Sequence, residues 1–95
     1  MGNADNKLRN LGFLLTERND ECGYWLYNNE NCDQHVEIDF DSEDWFVYSR
    51  AISTHEPMAL TYNELKAFME KIEELKNTLG DVKCLYNYET TKLKR

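Results

Sequence analysis

Four runs rich in β-branched and aromatic residues, FLLTER, YWLYN, QHVEIDF and WFVYSRAI, follow one another between Phe13 and Ile52, separated only by NDECG, NENCD and DSED. A parallel neighbour needs a crossover of about a dozen residues or more, usually a helix, and none of these connections can hold one. The runs therefore pair antiparallel in chain order, as a four-stranded meander.

Such a sheet buries one face against something, and the chain contains one obvious cover. In LTYNELKAFMEKIEELKNTLGD, Thr61 and Glu64 have the spacing of a capping box, each side chain satisfying a backbone N–H left free at the helix start, with Leu60 and Leu65 placed as a hydrophobic staple. Leu65, Phe68, Met69, Ile72, Leu75 and Leu79 then recur at steps of three and four, one apolar stripe over 61–79 that reads as core. Lys66, Glu70, Lys71, Glu73, Glu74 and Lys76 fill the opposite side, which reads as solvated, and Gly80 reads as the stop. A helix of about 17 residues is roughly 26 Å long, enough to cover a small sheet. A short helix over 5–11, ended by Gly12, precedes the strands. Val82, Cys84, Tyr86 and Tyr88 alternate after the helix, which predicts an edge strand or an extended arm over 82–88, followed by a basic tail over 89–95. The expectation is a single α+β domain over 1–95: short N-terminal helix 5–11, antiparallel β-meander 13–51, and a covering amphipathic helix in the C-terminal half.

Strand phase assigns residues to faces, because successive side chains alternate. Val36, Ile38 and Phe40 belong to the covered face, so His35, Glu37, Asp39 and Asp41 stand in a row on the open one. A connection of two residues (Ser42-Glu43) or of four (Asp41 to Asp44) pairs Phe40 with Trp45; the four-residue form is preferred because neither Ser42 nor Glu43 favours positive φ. Either choice places Phe46 and Tyr48 beside Asp39 and Glu37 on the open face. A three- or five-residue connection would exchange the faces and bury both rings.

Charge is concentrated in the same region. The chain has 18 acidic and 11 basic residues, a net charge of -7. Between Glu17 and Glu56 eleven acids face only Arg18 and Arg50, a local charge of -9, which leaves +2 for the remainder. A surface so polarised favours encounter with basic proteins and repels nucleic acid and anionic membranes. The 41% hydrophobic fraction and twelve aromatic rings belong to a folded protein, not a disordered acidic tail. No apolar run is long enough to span a bilayer, and MGNADNKLRN has neither the layout of a signal peptide nor the Ser or Thr of a myristoylation site at its sixth position. These features predict a cytoplasmic protein with no membrane partner.

Catalytic and metal signatures each fail on a particular residue. In Asp39-Phe40-Asp41-Ser42-Glu43-Asp44, Asp44 occupies the place where a calcium loop needs glycine. His35-Val36-Glu37 has the His-x-Glu of zinc deaminases, but the chain lacks the Pro-Cys-x-x-Cys that holds the metal. The two Glu-Leu-Lys tripeptides of nuclease-like composition lie on the helix. His35 and His55 have no second ligand at metal spacing. Cys22, Cys32 and Cys84 are widely separated, and reduced thiols are the simpler reading beside a Cys22 to Cys32 bridge. No enzymatic activity, cofactor or metal is expected.

The stretches Lys7-Leu8-Arg9-Asn10-Leu11-Gly12-Phe13 and Leu60-Thr61-Tyr62-Asn63-Glu64-Leu65, the latter running on to Glu74-Leu75, resemble the openings and helices of short acidic proteins encoded by phages and prophages of Gram-positive bacteria. The resemblance implies a non-enzymatic inhibitor of the anti-CRISPR or wider anti-defence type, which occupies the basic nucleic-acid-binding surface of a host protein in the bacterial cytoplasm and does not itself bind nucleic acid. Charge and strand phase supply the candidate contact residues: Glu30, Asp33, Glu37, Asp39, Asp41, Glu43, Asp44, Phe46 and Tyr48. The alternative is a small structural or regulatory phage protein acting through homo-oligomerisation, with a homodimer as its simplest form.

Overall fold

The structure, a computed structural model, describes residues 3–41 and 43–94, the side chains of 79–94 excepted. Helix α1 (Asn3–Asn10) leads into strands β1 (Leu14–Asn19), β2 (Tyr24–Asn29), β3 (Gln34–Asp41) and β4 (Asp44–Ala51), with a single 3-10 turn over Glu30–Cys32, and helix α2 (Tyr62–Lys94) follows. The sheet order is β1-β2-β3-β4, antiparallel throughout, as the short connections require.

The entry to the sheet depends on Leu11-Gly12-Phe13. Gly12 has φ +102°, and a Cβ there would lie 2.8 Å from Nδ2 of Asn29, the group that donates to the Leu11 carbonyl at 2.9 Å. Glycine is needed both for the left-handed backbone and for this close approach. The turn swings Phe13 into the core, where its ring meets Phe68 edge-on at 5.0 Å.

The covered face carries Trp25 and Tyr27 from β2, Val36, Ile38 and Phe40 from β3, and Trp45 and Val47 from β4. Phe68, Ile72 and Leu75 of α2 close over it, with Leu8 of α1 in the same cluster. The capping box forms: the Thr61 amide donates to Glu64 Oε1 at 2.9 Å, and the Glu64 amide to Thr61 Oγ1 at 3.1 Å.

Four features depart from the sequence reading. The core side of α2 is rotated away from Leu65 and Met69, which are 40% and 56% exposed, and Ala67 is buried instead. The cause is α1, which docks on the supposedly solvated side: Lys7 pairs with Glu70 at 2.7 Å, Lys71 with Asp5 at 2.9 Å, and Glu74 accepts from the Ala4 amide at 3.0 Å. Gly80 does not end the helix. A glycine inside a helix costs only about 1 kcal/mol relative to alanine, and no proline follows to break the ladder. The additional strand over 82–88 is accordingly not formed, since the backbone there continues α2. The side chains of that segment, of Leu79 and of the basic tail, and all of Arg95, lie outside the described residues. Finally, β3 and β4 remain paired as far as Asp41 and Asp44, one step beyond the four-residue connection.

Candidate protein-binding face

The face of the sheet that α2 leaves open is built by the alternate residues of each strand. Across it, Tyr24, Asp39 and Phe46 stand opposite one another on β2, β3 and β4; the next row is Leu26, Glu37 and Tyr48, and the one after it Asn28, His35 and Arg50. Facing residues of adjacent strands interact directly, so each carboxylate sits between an apolar or aromatic neighbour on either side. The pairing of Phe40 with Trp45 holds, and with it the placement of both rings on this face.

Phe46 and Tyr48 are 40% and 42% exposed. Their rings stack with centroids 6.2 Å apart and planes 16° off parallel, and the Arg50 guanidinium lies 5.7 Å from the Tyr48 centroid. Arg50 also approaches Glu37 at 3.5 Å. Asp39 makes no ion pair among the described residues. Burial, and after it the neighbouring Glu37 carboxylate, push its carboxyl up to about 7, and the Arg50 charge lowers it by less than these surroundings raise it. Two carboxylates on one partly dry strand face cannot both ionise freely, so Asp39 holds a proton over part of the neutral range. Burial and then Glu37 also raise the Tyr24 hydroxyl above its ordinary value. Asn19, Cys22, Gly23 and Tyr24, with Glu37, Asp39, Phe40 and Asp41, line an open hollow of about 490 Å³ at this end of the sheet.

The candidate contact residues divide into two groups. Glu37, Asp39, Asp41, Asp44, Phe46 and Tyr48 share the open face, Asp41 directly opposite Asp44, and the exposed Glu43 follows at the hairpin tip. Glu30 and Asp33 lie in the β2–β3 connection, at the other end of β3. Asp33 adopts φ 55°, and its carboxylate accepts from the Ser53 amide at 3.0 Å and the Ser53 hydroxyl at 2.6 Å, tying that turn to the loop after β4. Sequence reasoning missed Tyr24 and Leu26, which strand phase puts on the same face, and Leu26 is buried there. The alternation of YWLYN was the available signal, masked because both phases of that run are apolar or aromatic.

Among the described residues no three His, Cys, Asp or Glu side chains converge as metal ligands. Cys22 and Cys32 are exposed free thiols in the connections at opposite ends of β2. No helix among the described residues is long and apolar enough to cross a membrane. No family model matches the chain, and no curated protein and no solved structure matches it either.

Proposed function

We infer that this chain is a protein-binding inhibitor of the phage anti-defence kind, whose open sheet face occupies a basic nucleic-acid-binding surface of a host protein. The observation that carries the reading is the stacked, exposed Phe46–Tyr48 pair set directly beside Glu37 and Asp39. A strand face that serves only solvation needs the carboxylates and not the rings. Exposed aromatic side chains beside charge are the composition of a contact surface, where rings supply buried area and charges supply orientation and rate.

Side chains two residues apart along a strand recur about every 6.8 Å, a spacing comparable with that of successive phosphates on a nucleic-acid strand. Glu37, Asp39 and Asp41 therefore offer a basic groove a row of anions, and Asp39 gives up its proton when an arginine or lysine arrives. Binding of this kind weakens with added salt, because it rests on charges at a solvent-facing surface. The test is affinity capture from a nuclease-treated bacterial lysate, wild type beside the Glu37→Lys/Asp39→Lys/Asp41→Lys variant. A basic partner held by wild type, released by salt and lost in the variant supports the reading; capture unaffected by three charge reversals removes it.

A further inference from the structure

The sheet has two edge strands, and their backbones are prepared differently. Along β1 the register shifts between Leu15 and Glu17, with the Thr16 hydroxyl donating to the Leu26 carbonyl at 3.2 Å, and the charged Glu17 and Arg18 follow. A bulge and charges are the usual means of refusing another strand. β4 has no bulge and pairs one for one with β3 over its whole length.

Two bonds at the far end of β4 fix the direction of its backbone groups. The Ala51 amide donates to the Glu56 carbonyl at 2.8 Å, and the Met58 amide donates to the Ser49 carbonyl at 2.9 Å, around the bridge between Arg50 and Pro57. Residues 49 and 51 thus present their backbone away from β3, toward the 56–58 segment. Strand groups alternate with a period of two, so Trp45 and Val47 also present N–H and C=O outward. Among the described residues nothing pairs with those groups. One half of the edge is capped, and the half carrying Phe46 and Tyr48 is free.

We propose that the free half of β4 is a homodimer interface, in which a second copy of this chain adds its β4 antiparallel about a twofold axis at Phe46 to give one continuous eight-stranded sheet. In that register Trp45 of each copy faces Val47 of the other, and the two residues exchange both backbone bonds, so all four outward groups of each copy are satisfied. The second copy's strand ends opposite Tyr48 and turns back into its own β3, clear of Met58. Moving the axis to Val47 would instead drive Trp45 of the second copy against Ser49, whose carbonyl already holds the Met58 amide. Side chains agree with the Phe46 register. On the open face the two Phe46 rings meet, which joins two stacked pairs into a cluster of four. The Tyr48 hydroxyl comes opposite the second copy's Asp44, and Arg50 lies one diagonal step from that carboxylate, within reach of a long side chain. The interface does not rest on the inhibitor reading. Each chain carries -7, so the dimer tightens as salt screens the repulsion, the opposite of what capture of a basic partner does.

Sedimentation equilibrium from about 1 μM to about 1 mM distinguishes the outcomes, a range that spans weak to moderate affinities. Wild type is expected to show a mass rising from monomer to dimer, more readily at high salt. Val47→Pro removes an outward N–H and no bond to β3, so its circular dichroism should persist while association falls on the order of tenfold or more, two of the four ladder bonds being lost. In a Cys22→Ser/Cys32→Ser/Cys84→Ser background, Phe46→Cys should oxidise to a covalent dimer, because facing residues of a non-hydrogen-bonded pair lie about 4.5 Å apart at Cα, within disulfide range. Leu14→Cys on β1 in the same background should stay monomeric. A wild type that remains monomeric throughout overturns the proposal, as does a folded Val47→Pro that dimerises normally. Should Val47→Pro lose its fold, the Phe46→Cys arm decides alone, and failure of that variant to cross-link is then the contradicting result.

Discussion

The two faces of this sheet are made by the same strands, one residue in two each, and they answer to different requirements. On the covered face Trp25, Tyr27, Val36 and Ile38 are almost wholly removed from water beneath Phe68, so the hydrophobic effect accounts for their apolar bulk, and the Trp25 indole N–H donates to Asp20 at 3.1 Å. Among the described residues nothing covers the open face, yet it keeps Phe46 and Tyr48 exposed, and burial beside Glu37 pushes the Asp39 carboxyl up to about 7. Burial in the core explains the first set of residues and does not explain the second, for which the proposed contact surface is the account offered.

The contrast is sharpest at Phe68. Removing a buried ring leaves a cavity, and Phe68→Ala should cost about 3–5 kcal/mol in a urea titration, a large share of the stability of a domain this size. A loss below about 1 kcal/mol would show that the covered face is not the core. Next comes Gly12→Ala, which attacks the turn that delivers Phe13 to that face. Strain of about 1–2 kcal/mol for a left-handed non-glycine residue adds to the displacement of Asn29, and unchanged thermal stability would deny the tight approach.

Asp39→Asn probes the open face through pH. The folded carboxyl is raised to about 7 from an unfolded value near 3.9, so the folded state binds the extra proton. Its stabilising contribution is complete below about pH 4 and is lost as pH rises toward 7. Substitution should therefore stabilise the protein by about 1–2 kcal/mol at pH 8, allowing for solvent screening, and by far less at pH 4. Equal effects at both pH values would place Asp39 in ordinary solvent. The smallest change belongs to Phe46→Ala and Tyr48→Ala, each expected within about 0.5 kcal/mol of wild type at concentrations where the monomer prevails, as for other exposed positions.

Much of the covered face was legible because its signals are local. The short connection between Phe40 and Trp45 allowed few registers, and Thr61 with Glu64 announced the helix start by chemistry that needs no tertiary contact. Leu65 and Met69 were misassigned because a helix stripe leaves the rotation about its axis open until another element docks, and here α1 supplied Lys7 and Asp5 to the side that looked solvated. Gly80 is a weak stop, effective only where a proline or a turn comes after it. On the open face strand phase placed Glu37, Asp39, Phe46 and Tyr48 correctly. The proton affinity of Asp39 was not readable, since it arises from burial and from Glu37 two residues along the strand. The half of β4 that nothing pairs with among the described residues was equally hidden, because nothing in the run 49–58 says that Glu56 and Met58 return to Ala51 and Ser49.

The most direct test takes the double variant Phe46→Ser/Tyr48→Ser and measures its unfolding in urea beside its capture of a basic partner from nuclease-treated lysate. If the rings serve a contact surface, the midpoint stays close to that of wild type and the partner is lost. A midpoint lowered by several kcal/mol of stability with capture intact would make the rings part of the fold and contradict the account.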